Sequence, residues 1–297
     1  MFKTTLKLFF LSLILAACDV INPSEEIPSY LKISKFEVEG INDLPPSANV
    51  QDVWVTVDNI FIGVYSFNDE SITIPVLRSG SSLVTLRPGI VKDAGFNSIH
   101  EIYPYYNGYT EQLILEKGEI IEVKPNTSYT DDAFFVQEAT DDFETGLTRK
   151  YRSCLGCPST LQVINKDSSN SELFIDINGT ALGLVEISAG STDSISFITS
   201  EQFGVPLNAS QVWMEFDYKS NIIFTTGLEI NSQFYFRITP FLTASPDGWT
   251  KVYFALIDDF SIAPGQAFNL VFSSPPSDGS EDYYLAIDNI RLIVPEI

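Results

Sequence analysis

From Tyr30 onward, apolar residues recur at every second position. Leu31 and Ile33, then Phe36 and Val38, alternate with polar partners. Val53, Val55 and Val57 point to one side of an extended chain, and Trp54, Thr56 and Asp58 to the other. Asp58-Asn59 falls between two such runs, as a tight hairpin requires. The pattern predicts further strands over Ser71 to Val76, Ser81 to Arg87, Ser98 to Tyr106, Glu111 to Leu115 and Glu119 to Lys124. Gly80, Gly89, Gly108 and Gly118 punctuate them. About seven or eight short strands at regular spacing argue for a β-sandwich over residues 30–125. No convincing amphipathic helix interrupts the series.

Residues 126–140 are polar and acidic and are expected to link two domains. Beyond them, residues 141–297 carry longer alternating runs. Val212, Met214, Phe216 and Tyr218 make one face, Phe234, Phe236 and Ile238 a second, and Val252, Phe254 and Leu256 a third. Asn178-Gly179 separates LFIDI from ALGLVEI and reads as another hairpin turn. The fold class is therefore all-β, with two β-sandwich domains.

Two stretches resemble known families. VTVDNIFIGVYSFNDESITIPVLRSGSSLVTLRPGI resembles the small PEGA-like surface modules, with their V-x-V-D hairpin, Pro-led strand, glycine turn and closing strand. The second domain opens with DDFETG and closes with YYLAIDNIRLI. That frame resembles the jelly-roll domains of carbohydrate-binding modules and MAM-type extracellular modules, and implies a jelly roll here. FDYKSNIIFTTGLEI with DGWTKVYFAL is also similar to uncharacterised surface lipoproteins of Gram-negative bacteria. The jelly-roll resemblance implies a structural Ca²⁺ on Asp142 and Glu144 at the domain's start and Asp288 in its last strand. Ca²⁺ needs six to eight hard oxygens, and jelly rolls set their first and last strands side by side. The competing reading is that these acids simply face solvent.

The N-terminus, MFKTTLKLFFLSLILAACDV, joins a basic region at Lys3 and Lys7 to an apolar run from Leu8 to Ala16. That run is shorter than the roughly 20 residues a membrane-spanning helix needs, and fits a cleaved export signal over residues 1–17. Leu15-Ala16-Ala17-Cys18 looks like a lipobox, which implies acylation of Cys18, palmitate among the chains, and a lipoprotein held at the bacterial outer membrane. Several acyl chains, each buried methylene contributing about 0.8 kcal/mol, make such an anchor nearly permanent. Residues 18–29 form an acidic, Pro-containing tether.

Charge narrows the partners. The chain carries 17 Lys and Arg against 39 Asp and Glu, a formal charge of −22. Loss of residues 1–17 removes two lysines and no acid, leaving −24. A body this acidic is repelled by phosphate polymers, which excludes nucleic acid as a partner.

Candidate chemistry is sparse. Cys154 and Cys157, as Cys-Leu-Gly-Cys, suit a local disulfide in an oxidising compartment. Free or redox-active thiols and a metal remain alternatives. Pro158 stands where haem attachment needs His, and His100 is the chain's single histidine. Tyr103, Tyr105, Tyr106 and Tyr109 crowd IYPYYNGY, and neighbouring strand residues face opposite sides, so some are expected to be exposed as platforms for a sugar face. Trp249 is a second ligand-binding candidate. The alternatives are an inter-domain contact for the tyrosines and core packing for Trp249. A hydrolase would have to use His100 without a G-x-S-x-G elbow, and adjacent acids such as Asp258-Asp259 diverge across a strand. The resulting expectation is a non-enzymatic lipoprotein that holds a glycan or an envelope protein. The alternatives are a structural accessory of an outer-membrane assembly and a polysaccharide-active enzyme on a jelly-roll scaffold.

Overall fold

A computed structural model describes residues 26–40, 47–92, 99–144, 150–153, 159–167, 169–207, 209–230, 233–236, 241–261 and 264–296. Cys18, Cys154 and Cys157 lie outside these residues, and the lipidation and disulfide expectations lie there with them. The first sandwich comprises β1 (Ser29–Ser34), β2 (Glu37–Val38), β3 (Asp52–Val57), β4 (Ile60–Ser66), β5 (Ser71–Val76), β6 (Gly80–Lys92), β7 (Ile99–Ile102), β8 (Tyr109–Leu115), β9 (Ile120–Val123) and β10 (Asn126–Thr127). One sheet runs β5-β1-β9, with β1 and β9 parallel. The facing sheet runs β4-β3-β6, with β7 and β8 both paired to the long β6. The alternation read from the sequence is the packing. Leu31, Ile33, Val53, Val55, Val57, Val84 and Leu86 meet between the sheets with no exposed surface. Asp58 and Asn59 take the positive φ values of 50° and 63° that a two-residue hairpin turn demands.

The second sandwich contains β11 (Ala133–Phe135), β12 (Tyr151–Ser153), β13 (Gln162–Asn165), β14 (Ala181–Ile187), β15 (Ser196–Thr199), β16 (Phe203–Gly204), β17 (Trp213–Ser220), β18 (Thr225–Ile230), β19 (Gln233–Phe236), β20 (Ser245–Ala255), β21 (Ala267–Ser273) and β22 (Tyr283–Pro295). A single turn of helix, α1 (Ile257–Ser261), follows β20. One sheet runs β13-β14-β22-β17-β20 and the other β12-β15-β21-β18-β19. Between them lies an apolar interior with Phe197, Phe216, Phe254, Phe268 and Phe272 at its centre. The entry strand meets the last one, because Asp141 and Ile290 exchange both backbone hydrogen bonds.

Three sequence expectations change. The predicted strand to Tyr106 stops at Ile102, and Tyr106 N–H donates back to Tyr103 C=O in a turn. LFIDI is not a strand: Ser171–Phe174 is a 3-10 turn, and β14 pairs with β13 instead. Burial of Phe174 against Leu182 and Leu184 overrides the local hairpin signal at Asn178-Gly179. Residues 126–140 are no free linker. β10 pairs with β2 of the first sandwich and β11 with β22 of the second, so the crossing chain is bonded to both.

The two sandwiches also share a sheet. β6 and β20 touch in parallel at Lys92 and Tyr253, so the β13-to-β20 sheet continues into the first sandwich.

Candidate functional site

The outward face of the β22-β17-β20 sheet is where the two sandwiches meet. Alternation along β17 turns Met214, Phe216 and Tyr218 inward, and Trp213, Glu215 and Asp217 outward. Lys251 and Tyr253 of β20 and Arg291 and Ile293 of β22 join them. The first sandwich lays its tyrosines over this face. Tyr103 packs edge-on against Trp213 at 5.2 Å, Tyr253 at 5.0 Å and Tyr106 at 4.6 Å between ring centroids. Tyr103, Tyr105 and Tyr106 are all buried, which corrects their reading as an exposed sugar platform. The turn after Ile102 packs them into the seam, and the inter-domain alternative describes them. Tyr109 is half-buried and donates its hydroxyl to Glu111, 2.6 Å away.

Charge is buried in the same seam. Glu215 accepts a very short hydrogen bond from the Tyr129 hydroxyl. Arg291 Nη1 lies 2.6 Å from Tyr129 Oη and 3.4 Å from Glu215 Oε1. Burial opposes the charge on Arg291, but Tyr129 and Glu215 outweigh it and hold the guanidinium charged. Tyr129 is pushed well above the usual phenol range, first by burial and then by Glu215. Tyr129, Glu215 and Arg291 thus form one hydrogen-bonded cluster. It is sealed beneath the first sandwich, with Glu215, Arg291 and Tyr129 all buried.

The seam opens at one end into a polar cavity of about 330 Å³. Three segments build it: Ser47 to Asn49 from the first sandwich, the Asp176 to Asn178 turn, and a sheet floor of Asp217, Lys251 and Asn289 with Trp249 as a wall. Trp249 is half-buried and donates its indole N–H to Leu173 C=O at 2.8 Å, which fixes the ring. Lys251 Nζ lies 3.8 Å from Glu215 and 3.9 Å from Asp217, and donates to Ser47 Oγ at 3.1 Å. Burial pulls the ammonium's pKa down, against the opposing pull of Asp217 and Glu215. Ser47 in turn donates a short hydrogen bond to Asp217 Oδ2.

Asn289 owes its place to an irregularity. Glu215 pairs with Arg291 but Asp217 with Asp288, so β22 carries one extra residue there. Asn289 absorbs it with a φ of 49°, a conformation that Asn tolerates better than most residues. Ile287 and Ile290 both remain in the core, and Asp288 and Asn289 both leave it. Asn289 Nδ2 donates to Asp217 Oδ2 at 2.8 Å, which orients the amide. Its Oδ1 is then a buried acceptor with no hydrogen-bond partner. The sequence hides this residue, because periodicity alone places Asn289 on the core face.

The candidate calcium ligands border this region without forming a cage. Glu144 accepts from the Thr180 hydroxyl at 2.5 Å, from Ala181 N–H at 2.9 Å, and from Thr180 N–H. Burial pushes Glu144 up, and these donors outweigh it to leave the carboxyl below its ordinary value. A Cβ placed on Gly179 would sit 2.7 Å from Glu144 Oε1 and 3.5 Å from Asp288 Oδ2, so both carboxylates line the approach to this glycine. Asp288 is almost wholly buried, accepts from Asn289 N–H at 2.7 Å, and is pushed well up by burial, then by Asp217, Asp142 and Glu144. Among the described residues no group of three or more His, Cys, Asp or Glu is arranged to hold a metal. Glu144 is already committed to Thr180 and Ala181, so the three residues do not fit Ca²⁺ as they stand.

His100 sits elsewhere, on the outer face of the first sandwich. Its Nδ1 meets the buried Asp52 carboxylate at 2.5 Å, and Ser66 Oγ donates to the other Asp52 oxygen at 2.6 Å. The aspartate stands between serine and histidine. A nucleophilic triad requires histidine in the middle, so this group cannot activate Ser66.

No protein-family model matches the chain, and no curated protein matches it. Solved structures overlap it distantly. A carbohydrate-binding module of the β-sandwich superfamily covers 82% of this chain and 84% of its own, at 14% identity and a TM-score of 0.40. The CBM22-2 xylan-binding domain of Paenibacillus barcinonensis Xyn10C covers 53% of this chain and 99% of its own, at 13% identity and a TM-score of 0.36. An arabinose-bound α-L-arabinofuranosidase, MgGH51, covers 56% of this chain and 27% of its own, at 13% identity and a TM-score of 0.39. Overlaps this distant carry neither a ligand nor an activity across.

Proposed function

We propose that this protein is a non-enzymatic binder of a glycan, held at the bacterial outer membrane by an acylated Cys18, with its ligand seated in the polar cavity between the sandwiches. The observation that carries the reading is the polar cavity lined by Asp217, Lys251, Trp249 and Asn289, whose last member holds a buried Oδ1 with no hydrogen-bond partner. Such an acceptor costs about 1–3 kcal/mol of desolvation until something donates to it. A ligand hydroxyl is a suitable donor. Asp217 and Lys251 beside it supply an acceptor and a donor, and Trp249, held by its indole N–H and packed against the Phe174 cluster, borders the same space. The cavity lies near the lower end of the roughly 300–1,000 Å³ usual for small-molecule sites, which suits a short ligand or the end of a chain.

Pull-downs on a panel of polysaccharides, followed by calorimetry, test the reading. The purified protein should be retained, and Asn289→Gly, which keeps the positive φ, or Trp249→Ala should abolish retention while the protein stays folded. No retention on any polysaccharide, with envelope proteins co-purifying instead, would favour the structural accessory. Mass spectrometry should find a mature chain starting at a diacylated Cys18, and Cys18→Ser should leave residues 1–17 attached.

A further inference from the structure

We infer that the cavity selects an uncharged, hydroxyl-rich sugar unit and rejects uronate, sulfated or phosphorylated ones, an inference that rests on the glycan reading above. The charges facing the cavity decide it. Asp176 and Asp217 line it. Lys251, within 4 Å of Glu215 and Asp217, and Arg291, 3.4 Å from Glu215, are balanced by those two carboxylates, which leaves Asp176 at the rim of a chain whose formal charge is −22. An entering anion would therefore meet surplus carboxylate. A neutral hydroxyl would not.

The protein already holds one hydroxyl in this environment. Ser47 Oγ donates to Asp217 and accepts from Lys251 Nζ at 3.1 Å, using both of its hydrogen-bonding capacities on a fixed carboxylate–ammonium pair. That is the way a protein reads a sugar hydroxyl, as donor and acceptor together. Asn289 Oδ1 is a further acceptor in the same wall, and accepts only from a donor. A carboxylate or sulfate oxygen has no proton to offer it at neutral pH.

Calorimetry on the purified full-length protein, with matched oligosaccharides, tests this. Neutral gluco-, manno-, xylo- and galacto-oligosaccharides are compared with oligogalacturonate and with 6-phosphorylated hexose. At least one neutral series should bind, with anionic counterparts at least tenfold weaker at low salt and the gap narrowing as salt rises. Asp217→Asn should narrow it further. Asp176→Asn, at the exposed rim, gives the same readout if Asp217→Asn does not fold. Anionic sugars binding as tightly as neutral ones overturn this inference and leave the glycan reading standing. Failure of every sugar to bind overturns both.

Discussion

The interior of the second sandwich and the seam between the sandwiches are both buried, yet they are built from different chemistry. In the interior, Phe197 stacks on Phe272 at 4.7 Å, and the surrounding side chains are apolar. In the seam, Tyr103, Tyr106, Tyr129, Trp213 and Tyr253 are buried alongside Glu215, Asp217, Lys251 and Arg291. Burying charges rarely adds stability over a well-packed apolar alternative, whereas removing one partner is costly. The interior therefore supplies burial. The seam fixes how the first sandwich sits on the second, and Glu215 Oε2, Tyr103 Oη and Asn289 Oδ1 are left there without hydrogen-bond partners. The cavity opens from the region with those unmet groups.

The largest effect should come from splitting the seam's ion network. Arg291→Ala should cost about 3–5 kcal/mol in urea denaturation, because Glu215 loses its principal cation. Replacing Glu215 and Arg291 together by Leu and Met should recover most of that. Phe216→Ala in the interior should cost a similar amount, about 3–5 kcal/mol, with no second change able to recover it by charge removal. A single Arg291→Ala loss below about 1 kcal/mol would erase the distinction between the regions.

A smaller effect should come from Asp141 at the mouth of the interior. Burial is the main cause that raises its carboxyl to about 6, against opposing hydrogen bonds from the Phe143 and Lys150 backbones. The folded protein then holds a proton that the unfolded chain releases near pH 4. Stability should fall as pH rises from about 4 through 6, by on the order of 3 kcal/mol, and Asp141→Asn should lessen that slope, with Asp288 supplying what is left. A slope unchanged in the variant would assign the pH dependence to another group.

Smaller again is Tyr103→Phe. The hydroxyl is buried with no partner, so its removal should leave stability unchanged or raise it by up to about 1 kcal/mol. Tyr129→Phe should instead cost about 1.5–3 kcal/mol, since that hydroxyl bridges Arg291 and Glu215. Equal effects at the two positions would contradict the hydrogen bonding described. Last, a chelator should leave the melting temperature unchanged, because Glu144 is satisfied by Thr180 and Ala181. A drop on chelation, with Ca²⁺ found by elemental analysis, would restore the calcium expectation.

Local chemistry made much of the fold legible. Asp58-Asn59 announced its hairpin, and Ser71 to Val76 is a strand over the residues its alternation marks. What escaped depends on distant partners. IYPYYNGY looks like a strand with exposed rings until Trp213 and Tyr253, more than a hundred residues later, are there to receive them. LFIDI has strand composition, but Phe174 is held over Leu182 and Leu184. Of the candidate site, Trp249 was visible as an aromatic at a strand junction. Lys251, Asp217 and Asn289 were not, because only the pairing of β20, β17 and β22 brings them to one floor.

The extra residue in β22 also marks how this molecule can vary. Ile287 and Ile290 keep to the core on either side of it, so deleting Asn289 would restore plain alternation, with Asp288 outward, Ile290 inward and Arg291 outward opposite Asp217, Phe216 and Glu215. The sheet would close up without the bulge, and the cavity would lose an amide. One residue of strand length thus adds or removes a piece of the cavity wall while the hydrocarbon beneath stays as it is.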